Sequence, residues 1–360
     1  MTQSVLIIGG GIIGCASALE LAQAGCHVTL VERTSLGSES SWAGAGLLSA
    51  LLPWDYRDEL ICLLDHSRAM YPAWVERLRA SGVDPEYRNS GLLVLPPYDL
   101  SKARQWAESS AEPLEELLAQ RIEPSLTCDD AALWLPRVAQ VRNPRLMRAL
   151  REALLQQKIT LHESTMLTGW RTSAGQITGA QTTQGLLEAD QYVVAAGAWS
   201  CNTLGLLGGA WDAQLPIKPM RGQIVLFKTT PGRLRHMLYR DGFYLIPRDD
   251  GHILAGSTLE DVGFDKQVTD EARASLIQRA TDLLPWLKDV PVVAHWAGLR
   301  PASPDNMPII SRHPELQNLF VNSGHYRYGV TLAPASAQAL ADLMLSRMSQ
   351  FDLPAFRWTA

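Results

Sequence analysis

Hydrophobic positions at the start of the chain change period from strand to helix and back. Val5-Leu-Ile-Ile8 is a continuous apolar run of strand length. Cys15-Ala-Ser-Ala-Leu-Glu-Leu-Ala-Gln-Ala-Gly25 has helical spacing, and His27-Val-Thr-Leu-Val31 is a second strand-like run. Gly9-Gly-Gly-Ile-Ile-Gly14 lies between the first strand and the helix, and Glu32 closes the second strand. This order predicts a βαβ unit with a glycine turn at its first switch. Gly9 permits the tight turn, Gly11 lets backbone N–H groups approach a pyrophosphate, and Gly14 lets helix and strand pack closely. The helix N-terminus then faces phosphate, and Glu32, 18 residues beyond Gly14, is placed to accept hydrogen bonds from an adenosine ribose. With strand, helix, second strand and acid all in register, the unit reads as a dinucleotide site rather than an ordinary glycine turn.

Helical spacing recurs at about 57–80, where Leu60, Leu63, Leu64, Met70, Trp74 and Leu78 are apolar, and at about 101–120 and 144–157. Gly91-Leu-Leu-Val-Leu95 reads as a strand ended by Pro96-Pro97. A short strand at 159–162 leads into a predicted β-meander at about 165–188, with turns at Ser173-Ala-Gly175 and Gln184-Gly185. Gln191-Tyr-Val-Val194 returns to the buried-strand pattern and stops at Ala196-Gly197, bringing backbone close to whatever the first turn holds. Strands are expected at 222–227, 243–246, 252–255 and 292–296, with one helix at about 269–284 among them. The end reverts to α/β, with a strand at 318–322, then Gly324-His-Tyr-Arg-Tyr-Gly329, then a helix from about 331 to 348. No internal repeat interrupts this order. The expected fold class is α/β: a discontinuous Rossmann-like nucleotide-binding domain with an inserted β-rich antiparallel substrate domain. The expected boundaries are 1–80, 145–215 and 300–360 for the first and 81–144 and 216–299 for the second.

Composition narrows the function without changing the fold. The 360 residues are 46% hydrophobic and 19% charged, which suits a soluble globular protein, and a net charge of −5 argues against a nucleic-acid partner. Cys15, Cys26, Cys62, Cys128 and Cys201 are scattered and contain no C-x-x-C, so neither a disulfide framework nor a zinc site is expected. No run approaches the roughly 18 apolar residues of a membrane span, and the first apolar stretch has no basic leader. Stable membrane insertion is therefore not expected, and a reducing cytoplasm is the expected compartment.

One βαβ unit does not separate NAD from FAD. Small-residue segments that suit a nucleotide site recur at 40–48, 195–199 and 324–331, which favours a long ligand threading the whole domain. The N-terminal unit, Ser40-Ser-Trp-Ala-Gly-Ala-Gly-Leu47, Val194-Ala-Ala-Gly-Ala-Trp-Ser200, Tyr244-Leu-Ile-Pro-Arg248, Gly298-Leu-Arg-Pro301 and Gly324-His-Tyr-Arg327 occur in that order. Together, over nearly the full length, they resemble the glycine oxidases of thiamine biosynthesis, within the D-amino acid oxidase family. The last three motifs are the family-specific ones.

The resemblance implies non-covalent FAD and oxidative deamination of glycine, sarcosine and small D-amino acids, with dioxygen reduced to hydrogen peroxide. It implies a homo-oligomer, a tetramer in that family. Flavin contacts are expected along Gly9, Gly11, Ile12, Ile13, Gly14, Glu32, Arg33, Ser40, Ser41, Ala45, Gly46 and Leu47. Leu167, Ala196, Gly197 and Trp199 are expected to continue them, as is the run Gly324, His325, Tyr326, Arg327, Tyr328, Gly329, Val330 and Thr331. Arg300 and Arg327 match the arginines near the substrate carboxylate, Tyr244 matches the tyrosine lining that site, and Leu259 stands where a pocket methionine is usual. Tyr328 replaces an asparagine beside the flavin segment, and Ala302 replaces a glycine; both bear on substrate range more than on reaction type.

The residue chemistry agrees with these roles. A carboxylate is best matched by the planar two-donor fork of arginine. The flavin carries the redox step, so side chains need only bind, orient and exclude water, and no catalytic acid, base or metal is expected. His325 is expected as a flavin neighbour rather than a base. The competing reading is a flavin dehydrogenase passing electrons to a membrane quinone, with Leu47-Leu-Ser-Ala-Leu-Leu-Pro-Trp54 as an apolar flap at a bilayer surface. A lid over the active site explains the same segment. A third reading, an NAD-binding scaffold without turnover, predicts a colourless protein.

Overall fold

The computed structural model describes residues 3–126, 130–208 and 215–358; Cys128 lies outside them. The N-terminal βαβ pattern folds into a six-stranded sheet. Its order is Ile309–Arg312, Leu319–Ser323, Gln191–Val194, Ser4–Ile8, His27–Val31 and Thr160–His162. Neighbours run parallel except the Ile309–Arg312 edge strand. The central strands are apolar along their length because both faces are covered. Helices Ile12–Gln23, Asp58–Arg79, Asn143–Gln156 and Gly329–Met344 cover one face, and the meander of Leu167–Ser173, Gln176–Thr182 and Gly185–Leu187 contributes to the core on the other.

Register places the chemistry. Ile8 sits opposite both Val31 and Val194, so three strands end together at Gly9, Glu32 and Ala195. In an open parallel sheet the crevice outside these carboxyl ends is where ligands bind.

The second large sheet has eight strands, ordered Val292–Ala302, Lys218–Lys228, His252–Gly256, Phe243–Pro247, Met237–Arg240, Leu92–Val94, Ala131–Leu135 and Glu115–Leu118. It is antiparallel apart from Met237–Arg240 against Leu92–Val94, which run parallel. Helix Asp270–Leu283 packs beneath it, with Leu276, Ala280 and Leu283 meeting Val225, Phe227 and Leu245 in one core.

Two sequence expectations fail locally. The helix expected over 101–120 is Leu100–Ser110, ending at Ala111 in the left-handed region, and Glu115–Leu118 is instead a strand. Pro113 cannot continue the helix, and the free edge beside Ala131–Leu135 accepts the segment. The strand expected to end near Trp296 continues to Ala302 through Pro301. A proline is tolerated there because the strand is at the sheet edge. This extension carries Arg300 into pairing with Met220.

Cys15, Cys26 and Cys62 are free thiols, and no metal-ligating cluster occurs among the described residues. No helix among them is long and apolar enough to cross a membrane.

Candidate active site

A cavity of about 890 Å³ runs from the carboxyl ends of the parallel strands to the face of the eight-stranded sheet. Gly9, Gly11, Ile12 and Ile13 form its floor at the first turn. Gly9 holds φ +113, and a Cβ there would collide with the Ala195 carbonyl. Gly11 gives the following helix no side-chain cap, and Gly11, Ile12 and Ile13 at that helix end line the cavity; the Ile12 N–H donates to Ser41 Oγ at 2.9 Å. This is a positive helix end with room for phosphate. Gly14 is not in the wall. It is the close-packing glycine, since a Cβ on it would run into the Gly9 carbonyl.

Glu32 closes one end. One carboxylate oxygen accepts from Gly10 N–H at 2.9 Å, the other from Thr34 N–H at 2.9 Å and Thr34 Oγ1 at 3.0 Å. The first oxygen keeps a lone pair for an incoming hydroxyl. Arg33, Thr165, Met166, Leu167, Ala196, Gly197 and Trp199 continue this end, with the Arg33 guanidinium 3.7 Å from the Trp199 ring centre.

The segment Ser40–Leu47 joins the two sheets. Ser40 Oγ donates to the Leu299 carbonyl, Trp296 Nε1 to Ala43 at 2.9 Å, and Arg248 Nη2 to Ala45 at 2.7 Å. Ser40, Ser41, Ala45, Gly46 and Leu47 all face the cavity. On the opposite side His325, Tyr326, Arg327, Tyr328, Gly329 and Val330 form the wall. Gly324 and Thr331 do not; Thr331 Oγ1 instead donates to the Leu47 carbonyl at 3.2 Å and ties the two segments together. The His325 imidazole turns away into the fold, where Nε2 meets Ser336 Oγ at 2.7 Å. Burial pushes its pKa down to about 3, so it is neutral.

Arg300, Tyr244, Leu259 and Arg327 converge on the far end. Arg300 is partly buried and surrounded by neutral partners: Ser257 Oγ at 2.6 Å, Thr258 O at 3.3 Å, Arg221 O at 3.4 Å and the Tyr244 phenol. Burial lowers its pKa, with the Tyr244 oxygen opposing. Burial raises the Tyr244 phenol, with Arg300 and Ser257 opposing. For Arg327 burial works against the charge, but the oxygens of Tyr56, Tyr326 and Tyr328 outweigh it and raise the pKa. A guanidinium keeps its proton in proteins, and neither arginine has a carboxylate bridge among the described ion pairs. Two guanidinium groups without a carboxylate partner, side by side in the cavity wall, are built for an anion from outside. Tyr328 is buried, with its hydroxyl donating to Tyr56 Oη at 2.5 Å and the rings edge-to-face at 5.3 Å.

Sequence reasoning missed Gly222 and Ser257. A Cβ on Gly222 would occupy the space of the Arg300 guanidinium. A glycine inside the run Gly222-Gln-Ile-Val-Leu-Phe227 was the available signal for a close approach. Ser257 carried no local signal. The apolar flap is also resolved: Leu47, Leu51, Leu52 and Trp54 pack into the core beside the cavity, with Trp54 against Trp106 at 5.8 Å. No residue of 47–54 is exposed, and the segment packs on the protein core.

The model of the DAO family, described as FAD dependent oxidoreductase, matches residues 4–343. The chain belongs to the FAD dependent oxidoreductases. Within that family it is 45% identical over 358 residues to a glycine oxidase of Pseudomonas aeruginosa, covering 98% of this chain and 97% of that protein. It is 43% identical over 350 residues to a glycine oxidase of Pseudomonas putida, covering 96% and 95%. The crystal structure of glycine oxidase from Geobacillus kaustophilus superposes with a TM-score of 0.91 at 32% identity, covering 99% of each chain. The lining fits FAD in chemistry: the Glu32 acid, the helix N-terminus and glycine backbone of the first turn, and the segment 325–330 beside the arginines.

Proposed function

We propose that this oxidoreductase deaminates glycine, sarcosine and small D-amino acids with dioxygen as electron acceptor. The observation that carries the reading is the Arg300–Arg327 pair, cationic and unmatched by acids, beside the predicted flavin wall. Similarity to glycine oxidases supports it. Bound without a covalent link, FAD would supply two-electron chemistry, so that a hydride from the substrate Cα and a proton from its amine together reduce dioxygen to hydrogen peroxide. For glycine the balance is glycine, water and O2 in; glyoxylate, ammonia and hydrogen peroxide out.

The protein's part is geometric. Glu32 would hold the ribose, Gly9 to Ile13 the pyrophosphate, and residues 40–47 and 325–330 the ring. Arg300 and Arg327 would hold the substrate carboxylate, and Tyr244 would close the pocket beside it. Water is excluded by the apolar lining. The neutral, inward-turned His325 imidazole is not used as a base. A homo-oligomer in the cytoplasm belongs to the same reading.

A fixed carboxylate also sets stereochemistry. With the carboxylate anchored and the Cα hydrogen facing the ring, only one enantiomer points its side chain into free space. Tyr328 narrows the ring side, and branched Leu259 is stiffer than methionine. Peroxide release is expected from glycine, sarcosine and D-alanine, and not from L-alanine or D-phenylalanine. Comparable turnover of L-alanine would defeat the geometric argument; rapid oxidation of D-phenylalanine would defeat the small pocket.

A further inference from the structure

Arg300 presents a problem of placement. A guanidinium beside a cavity is normally aimed by a carboxylate, which would also neutralise it. Here aiming is done without an acid. Ser257 Oγ accepts from Nη2 at 2.6 Å, while Thr258 O and Arg221 O accept more loosely from Nη1 at 3.3 and 3.4 Å. Gly222 clears the space beneath, since any side chain there would displace the guanidinium. Gly256, next to Ser257, clears space for the Tyr244 ring in the same way. The nearby acids are engaged elsewhere: Glu260 takes Arg221 at 2.6 Å and Gln223 at 2.9 Å, and Asp265 takes Arg221 at 2.7 Å. The Arg300 charge is thus oriented but not cancelled.

We propose that Ser257 is the positioning residue of the carboxylate anchor, fixing the Arg300 fork and the Tyr244 hydroxyl with one neutral oxygen. The shortest bond to the guanidinium is the Ser257 one, and the same hydroxyl lies beside Tyr244. The inference rests on the amino-acid oxidase reading, in which Arg300 meets a carboxylate. Without the hydroxyl the fork swings between poses, and one of its N–H groups loses its acceptor. Carboxylate affinity then falls while the cofactor cradle, built from other segments, is untouched.

The test uses flavin-loaded protein. Glycolate, a carboxylate that lacks the amino group, is titrated against the flavin absorption spectrum, and FAD affinity is measured separately by adding FAD to stripped protein. Ser257→Ala is expected to weaken glycolate binding about 10- to 100-fold, the range for a bond to a charged group. The KM for glycine should rise in parallel, with kcat changing by less and FAD affinity staying within about twofold. Ser257→Thr keeps the hydroxyl and should restore glycolate binding. Glycolate binding by Ser257→Ala within about twofold of wild type overturns the proposal. So does failure of Ser257→Thr to bind better than Ser257→Ala when both retain FAD. Failure of wild-type protein to bind glycolate or oxidise glycine would instead strike the underlying functional reading.

Discussion

Arg300→Ala is expected to raise the KM for glycine about 30- to 4,000-fold, the cost of roughly 2–5 kcal/mol for breaking a desolvated charge pair. The size follows from burial. Arg300 sits in a wall of neutral acceptors, so an incoming carboxylate meets a charge only weakly screened by water. The loss should appear in KM and in kcat/KM, because the carboxylate is held alike in the ground and transition states. FAD affinity should hold, because Glu32 and the first turn lie at the other end of the cavity. A normal KM in flavin-loaded Arg300→Ala would remove the anchor role from this residue and leave it to Arg327.

Gly14→Val is expected to have the largest effect on the protein itself, abolishing soluble flavin-bound enzyme. Any Cβ at Gly14 meets the Gly9 carbonyl far inside contact distance. Helix Ile12–Gln23 must then move off strand Ser4–Ile8, displacing the phosphate floor and the core helices packed on it. A loss above about 4 kcal/mol is the scale of such a forced repacking. Gly25→Ala is the control: Gly25, unlike Gly14, has a positive φ, at +93, but a Cβ there meets open space. That change should cost only about 1–2 kcal/mol of backbone strain. Soluble yield and bound-flavin absorbance of Gly14→Val, against thermal denaturation of Gly25→Ala and wild type, separate packing from strain.

These positions also mark what the sequence made legible. The βαβ unit was readable because its evidence is local: glycines, helix and acid are set by short spacings, and register then brings Gly9, Glu32 and Ala195 together. The substrate end was readable in part, since Arg300 and Arg327 stand in distinctive motifs 27 residues apart. What supports them was not. Ser257 and Arg221 reach Arg300 through strand pairings between Lys218–Lys228, His252–Gly256 and Val292–Ala302, a long-range arrangement without a local pattern. The helix expected to 120 and the strand expected to stop at 296 failed because sheet edges decide them: one edge recruits Glu115–Leu118, and the other tolerates Pro301. Residues 47–54 illustrate the converse. Their apolar character was plain, but whether it faces a membrane or a core is decided by packing, and Trp54 packs on Trp106.

In the proposed reaction this FAD dependent oxidoreductase takes electrons from a small amino acid and gives them to dioxygen. Mixing the purified holoenzyme with glycine in the absence of oxygen, then admitting air, tests both halves in one trace. The visible flavin absorption is expected to bleach with glycine and return with air, with one hydrogen peroxide released per flavin reoxidised. Bleaching that air does not reverse but a soluble quinone does would make the protein a dehydrogenase. Absence of bleaching by glycine, sarcosine or D-alanine would contradict the assignment of the arginine pair to an amino-acid carboxylate.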